Sequence, residues 1–335
     1  MVIGFSSQKY IKAQKKEVLV RLKRFDRLYL EVGGKVCYDG HASRVLPGYK
    51  PETKINFLKS LKDLSLIYCV NAEDLQSNRI LGDKRLNYEQ QTISDLNSLD
   101  KAKIHSIVVI TKYSKEPKAN ELKKKLEKLG RKVYFHKRIE GYYYDLDKIL
   151  EGYSEQPYID VKTKLVVVSG PAGNSGKMAT ALTQIYHELK MGKKSGFAKY
   201  ETFPIWNLPI NHPINIAYEA ATADILDKLM IDPYHLKAYS VKAVNYNRDI
   251  KNFAILIKLI QKITKQKNPF GYKSPTDMGI NMLKQGITND KVCREAAIKE
   301  IHRRYNFYKQ EYTKGRESKK TIQRMEEILR KVHRR

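Results

Sequence analysis

An α/β fold with mainly parallel sheets and helices on both faces is what the sequence predicts, on three observations. Short β-branched apolar runs alternate with stretches of helical periodicity through most of the 335 residues. One run, Leu165 to Val168, lacks polar alternation, as a strand covered on both faces does. It turns through glycines at 170, 173 and 176 directly into a helical stretch from Lys177 to Lys190. That stretch places Met178, Leu182, Ile185, Tyr186 and Leu189 on one face, with Gly192 at the position of a C-cap.

Taken in order, residues 8–24 predict a basic amphipathic helix with Tyr10, Ile11, Val18, Leu19 and Leu22 towards the core. A strand at 28–32 ends at Gly33 and Gly34, and the loop-rich segment 35–51 offers His41 and Arg44 near that end. A helix at about 54–61 leads to a strand at 64–70, and further strands are predicted at 104–110 and 132–136. Between the last two, Pro117 opens a helix that Gly130 closes. In parallel sheets the carboxyl ends of strands form the ligand crevice, which draws attention to Gly33, Gly34, Asn71, Thr111 and His136. Residues 152–157 read as a linker, dividing the chain into a domain at 1–155 and a second at 156–335. The expectation is thus two Rossmann-like three-layer lobes. The second adds a strand at 196–203, helices at 213–229 and 249–263, and closing helices at 290–307 and 318–333.

The glycine loop carries the chemistry. A turn between a buried strand and a helix start can aim several backbone N–H groups at one anion, and the helix dipole adds partial positive charge. Ser169, Gly170, Gly173, Asn174, Ser175, Gly176, Lys177 and Thr180 form the candidate phosphate seat, with Lys177 as the point charge. The fit to a Walker A loop is partial: Pro171 stands where the first glycine belongs, and Met178 stands where a magnesium-binding hydroxyl belongs. The same Pro171 breaks a dinucleotide-type glycine pattern. The structural alternative is a glycine turn that only packs a helix on the sheet.

Two later segments are dense in polar groups. Asn245, Asn247, Arg248 and Asp249 would reach a ligand from one, and Lys273, Ser274, Thr276, Asp277 and Asn281 from the other. Asp249 and Asp277 are the candidate acid–base groups, while Arg248 and Lys273 could stabilise developing negative charge. Each segment also reads as a helix entry, with Asn247, Asp249 or Asp277 as a cap. The substrate class is a nucleotide or phosphorylated small molecule, handled by phosphoryl-transfer or ligase-type chemistry. The cofactor is left open, with ATP and magnesium as the candidate.

Other classes find less support. The 64 Lys and Arg against 36 Asp and Glu give a net charge of +28, which suits a polyanion. The basic residues are spread over every helix, however, so a nucleic-acid partner is not the expectation. No run approaches the ~18 apolar residues of a membrane span, and the start of the chain lacks a signal-peptide shape, so a cytoplasmic protein is expected. Three cysteines, none in a C-x-x-C pair, argue against disulfides or a zinc knuckle. His187-Glu188 begins like a zinc protease motif, but Met191 replaces the second histidine. Asp224, Asp227, Asp232 and His235 could hold a divalent ion, though carboxylates beside lysines are more often solvated. Cys69 and Ser169 stand at strand ends without an assignable base.

Seven segments, YLEVGGK, HASRVLPG, KYETFPIWNLP, HPINIAYEAATADI, MIDPYHLKAY, AVNYNRDI and KSPTDMGINM, resemble in content and order the bacterial domain-of-unknown-function 1846 family, also called uncharacterised protein family 0371. The resemblance runs from the first residues to about residue 330. It implies an α/β protein of two Rossmann-like lobes and carries no established reaction. Family members usually continue into a further α/β region, whereas this sequence stops after the stretch 321–333. That stretch has Ile322, Met325, Ile328, Leu329 and Val332 on one side, so it needs a partner within the fold or from another subunit, and a homo-oligomer is expected.

Overall fold

Seven strands form one all-parallel sheet: β1 (Arg27–Val32), β2 (Leu64–Asn71), β3 (Ser106–Tyr113), β4 (Val133–Lys137), β5 (Leu165–Ser169), β6 (Ser195–Tyr200) and β7 (Gly279–Ile280). The structure is a computed structural model that describes residues 2–33, 35–81, 85–141 and 144–333. Gly34 lies outside the described residues. The strand order is β7-β6-β1-β5-β2-β3-β4. β5 is central and wholly buried, which accounts for its unbroken Leu-Val-Val-Val composition.

This topology differs from the expected division near residue 155. β5 pairs with β1 on one side and β2 on the other, so segments 1–155 and 156–335 build a single sheet. Local patterning identifies strands; it does not say which become neighbours, and β5 fills a slot that the β1–β2 connection skips. β7 is the other departure, since the short extended pair Gly279–Ile280 lies in a stretch read from sequence as loop.

Consecutive residues of β6 show what covers each face, because side chains alternate along a strand. Tyr200 accepts a hydrogen bond from the Tyr10 hydroxyl at 2.6 Å and packs on Phe57, so the helices Ser7–Leu22 and Thr53–Ser60 lie on its face. Lys199 meets Asp249 at 2.8 Å, so the helix Asn247–Thr264 lies on the opposite face, packed with Lys177–Lys190 and Leu146–Glu155. The result is a three-layer α/β sandwich.

A helical annex flanks the sheet. Pro213–Ala221, Asp290–Thr313 and Lys319–His333 pack together, and the short helix Gly40–Val45 joins them. The apolar side of the last helix is covered within the chain: Met325 and Ile328 are buried, and Arg324 and Lys331 both reach the buried Glu219. The expected helix 213–229 is interrupted. It ends at Ala221, where Thr222 turns its hydroxyl back onto Tyr218 O, and Leu226 then takes a left-handed φ of 58°. The chain continues into an antiparallel ribbon of Leu229–Ile231 and Val244–Tyr246, with the helix Pro233–Tyr239 between its strands.

Candidate functional site

The loop after β5 is held from outside by its carbonyls. Thr111 at the end of β3 donates to Ser175 O at 2.9 Å, and Asn71 at the end of β2 donates to Asn174 O at 3.2 Å. Lys112 reaches the Asn174 side chain at 2.9 Å. Two residues need conformations that shape the turn: Asn174 has φ 66° and Gly176 φ 82°. A Cβ on Gly176 would also lie 2.7 Å from Thr111 Oγ1, so glycine is required there on both counts.

The amides are in the opposite condition. Among the described residues, nothing accepts a hydrogen bond from the N–H groups of Ala172, Gly173, Asn174, Ser175 or Gly176. The next three N–H groups belong to the first turn of a helix and have no intrahelical acceptor. Thr180 N is the first to bond back, to Gly176 O at 2.9 Å. Lys177 is only 7 % exposed, yet its ammonium touches neutral oxygens alone, Ala172 O at 3.0 Å and Ser175 Oγ at 3.3 Å. A run of free donors and a buried cation without a carboxylate form an electropositive cup.

Other members of the predicted seat are structural. Ser169 is buried and donates to Val32 O at 3.3 Å, tying the ends of β5 and β1 together. Gly170 lets the loop pass tightly, since a Cβ there would be 2.5 Å from Ser175 Oγ. Thr180 turns inward, where it accepts from Cys69 Sγ at 3.5 Å, so its hydroxyl is not offered to a ligand on the loop.

A row of charged side chains continues from the cup along the carboxyl edge. Glu31 on β1 and Lys199 on β6 are register partners and so share a face. Lys177 and Glu31 both act electrostatically on Cys69, whose thiol burial pushes up to about 12. Lys199 forms its 2.8 Å ion pair with Asp249, and Glu201 follows two residues on, on the same side of the strand. Burial, then the charge of Asp249, raises the Glu201 carboxyl to about 8, against the opposing pull of Lys199. Gly279 makes room for it, because a Cβ there would run into the Glu201 carboxylate. Asp232 also acts on Glu201 and so extends the row.

Beyond Asp232 lies a second polar knot. Thr276 donates to Asp232 at 2.7 Å, Asn245 meets Thr276 at 3.4 Å, and Ser274 meets His235 at 3.0 Å. Ser274 also caps its short helix by accepting from Asp277 N at 3.0 Å. Asp277 accepts from Lys273 N at 2.9 Å and the Tyr239 hydroxyl at 2.7 Å, and Lys273 lies over the Tyr239 ring. The knot therefore gathers Lys273, Ser274, Thr276, Asp277 and Asn245, whereas Asp249 stands with Lys199. The remaining candidates each contact another part of the fold. Arg248 pairs with Asp227 at 3.2 Å, Asn247 accepts from Lys228 N at 2.9 Å, and Asn281 braces Thr202 O and Pro204 O.

Asp224, Asp227, Asp232 and His235 do not converge as a metal site: their partners are Tyr308, Arg248, Thr276 and Ser274 respectively. Among the described residues no group of three or more His, Cys, Asp or Glu is placed to hold an ion. The two described concavities lie elsewhere, one of about 380 Å³ beside Ile55 and Asp95, the other of about 300 Å³ beside Ile216 and Ile298. Sequence reasoning missed Glu31, Lys199 and Glu201. The available signal was a charged residue at the carboxyl end of an otherwise apolar strand, as in Leu28–Val32 and Phe197–Glu201.

Residues 3–333 match the family described as "Domain of unknown function DUF1846, N-terminal". The chain is 48 % identical over 339 residues to a UPF0371 protein of Clostridium tetani (strain Massachusetts / E88), covering 99 % of this chain and 67 % of that protein. It is 46 % identical over 339 residues to a UPF0371 protein of Clostridium botulinum (strain ATCC 19397 / Type A), with the same two shares. With the strain Alaska E43 / Type E3 protein of the same species the identity is 44 % over 336 residues, covering 99 % and 66 %. The chain thus spans about two thirds of the length of these relatives. With an all-parallel α/β sheet, a glycine loop at its carboxyl edge and a match over nearly its whole length, the chain belongs to the domain-of-unknown-function 1846 family.

Proposed function

We propose that the carboxyl edge of the sheet binds a nucleotide or a phosphorylated small molecule, with its phosphate on the amides of residues 172–179 and Lys177. One observation carries this reading: the amides of 172–176 have no acceptor among the described residues, and Lys177 is buried with only neutral partners. A buried charge costs free energy without a counter-charge, and a bound phosphate would supply one to Lys177 while accepting from the loop amides. On binding, the ammonium would exchange Ala172 O for a phosphate oxygen.

The charged row gives such a site its reactive side. Lys199 supplies fixed positive charge, and Glu201 can hold a proton near neutral pH, as phosphoryl-transfer or ligase-type chemistry requires. The loop residues do not fit a magnesium ion in the Walker manner, because Met178 replaces the hydroxyl and Thr180 faces Cys69. ATP therefore remains a candidate ligand for the amides and the lysine, with no step assigned to a metal.

Thermal-shift titration with ATP, GTP, NAD, sugar phosphates and inorganic phosphate tests the reading. A ligand at ~100 times its Kd stabilises by about 2.7 kcal/mol, and Lys177→Ala should abolish most of that gain. No stabilisation by any of them, or equal stabilisation of the variant, would overturn the proposal.

A further inference from the structure

A second cluster, independent of the phosphate cup, lies where Gly40–Val45, Pro213–Ala221 and Asp290–Thr313 meet. His41 from the first helix is 3 % exposed and places Nδ1 2.9 Å from Oε1 of Glu300, which is 2 % exposed. Burial by itself would raise the Glu300 carboxyl. Hydrogen bonds from Arg303, His41 and Arg44 reverse that and hold it below the usual carboxylate range. The acceptor is therefore a carboxylate, and Nδ1 carries the proton. Burial meanwhile lowers the imidazole to about 4, more than Glu300 raises it, so the ring is neutral at pH 7. With that tautomer assigned from the Glu300 contact, Nε2 is left with a lone pair.

That lone pair has no partner, and it is not alone. His41 Nε2, Tyr49 Oη and Tyr218 Oη are all buried and all without a hydrogen bond. Tyr49 is 3 % exposed and Tyr218 8 %. The His41 and Tyr218 rings stand edge to face at 4.5 Å between centroids. Asp39 and Tyr49 both act electrostatically on Tyr218, and Asp39 acts on Tyr49 as well. Asp39 is itself occupied by Lys54 at 2.9 Å and Ala42 N at 3.1 Å. Both phenols are pushed well above their ordinary value, mainly by burial, so each keeps its proton. One acceptor and two donor–acceptors thus lie unsatisfied in one neighbourhood. Isolated buried orphans are rare, and three together need something between them.

We infer that His41 Nε2, Tyr49 Oη and Tyr218 Oη jointly hold a hydroxyl group, that of a trapped water or of a small polyol, with His41 as its proton acceptor. A hydroxyl donates once, to the imidazole lone pair, and its oxygen accepts from the two phenols. Glu300 is the positioning residue: it fixes the tautomer and the ring as a carboxylate does behind a histidine base.

Histidine-ring ¹⁵N NMR on the full chain tests this, with the His41 signals assigned by His41→Gln. The expected result is a neutral ring protonated at Nδ1, with Nε2 displaced from the free pyridine-type position because it accepts a hydrogen bond. Titration with glycerol and with ribose separates the sources. A further displacement identifies a polyol site, while an unmoved, already hydrogen-bonded Nε2 identifies water. A free pyridine-type Nε2, or a proton on it at pH 7, overturns the inference. Tyr218→Phe and Tyr49→Phe give a second reading by melting temperature. Hydroxyls that hold a group should cost about 1–3 °C when removed, whereas unpaired ones should give a rise on removal, which also overturns it.

Discussion

At the scale of single residues, the edge of this sheet is a study in what surrounds a carboxyl group. Asp249 faces Lys199 and is held below its usual range, although burial alone would raise it. Glu201, on which the same lysine also acts, is raised to about 8 by burial and then by Asp249. The native chain therefore keeps a proton that the unfolded chain releases near the ordinary value of 4.5. Stability from this group is fully present below that value and is lost as pH rises towards about 8. Glu201→Gln should flatten the decline between about pH 5 and 8, by at most ~1.4 kcal/mol per pH unit and less because Glu201 is partly solvated. Urea midpoints at several pH values measure it, and an unchanged slope would assign the decline to other groups. Lys177 was legible from sequence because a lysine after a glycine turn has few other uses. Glu201 was not, since its proton affinity comes from Asp249, 48 positions along the chain (249 − 201), and from burial.

At the scale of elements, caps and turns followed the local sequence. Asn87 and Gln90 make a reciprocal capping box, Pro117 opens its helix, and Asp232 caps Pro233–Tyr239. Polar segments were harder to read, because capping and ligand binding use the same residue types. Ser274 is a cap that also touches His235, and Asn281 and Asn247 both brace neighbouring backbone groups. The last helix shows how an element is judged by its neighbours. Its apolar stripe was visible in the sequence, but part of its cover, the helix Pro213–Ala221, lies far away in the chain, beside the neighbouring Asp290–Thr313 helix. Since Ile328 is 0 % exposed there, Ile328→Ala should cost about 2–5 kcal/mol by chemical denaturation. A loss well under ~1 kcal/mol would show that this helix is only loosely docked.

At the scale of the whole molecule, a net charge of +28 repels itself in the compact state. Ion pairs such as Lys162–Asp160 at 2.7 Å and Lys125–Glu89 at 3.0 Å are exposed and add little against it. Raising sodium chloride from ~0.02 M to ~0.2 M shortens the screening length and should raise the melting temperature by a few degrees. A fall would mean that attractive pairs outweigh the repulsion. No described helix is long and apolar enough to cross a membrane.

What the sequence determined by itself is what lies within one turn or one strand. This includes the α/β class, the buried character of Leu165–Ser169, the glycine turn with Lys177 behind it, and most helix starts. These depend on side-chain period, backbone freedom and capping, all local quantities. Only the tertiary structure decided that β5 slips between β1 and β2, uniting the two segments in one sheet. It also decided that Glu31, Lys199 and Asp249 line one edge, and that His41 is backed by Glu300 from 259 positions away. Strand order, burial and the pairing of charges depend on which distant segments become neighbours, and no stretch of chain carries that information alone.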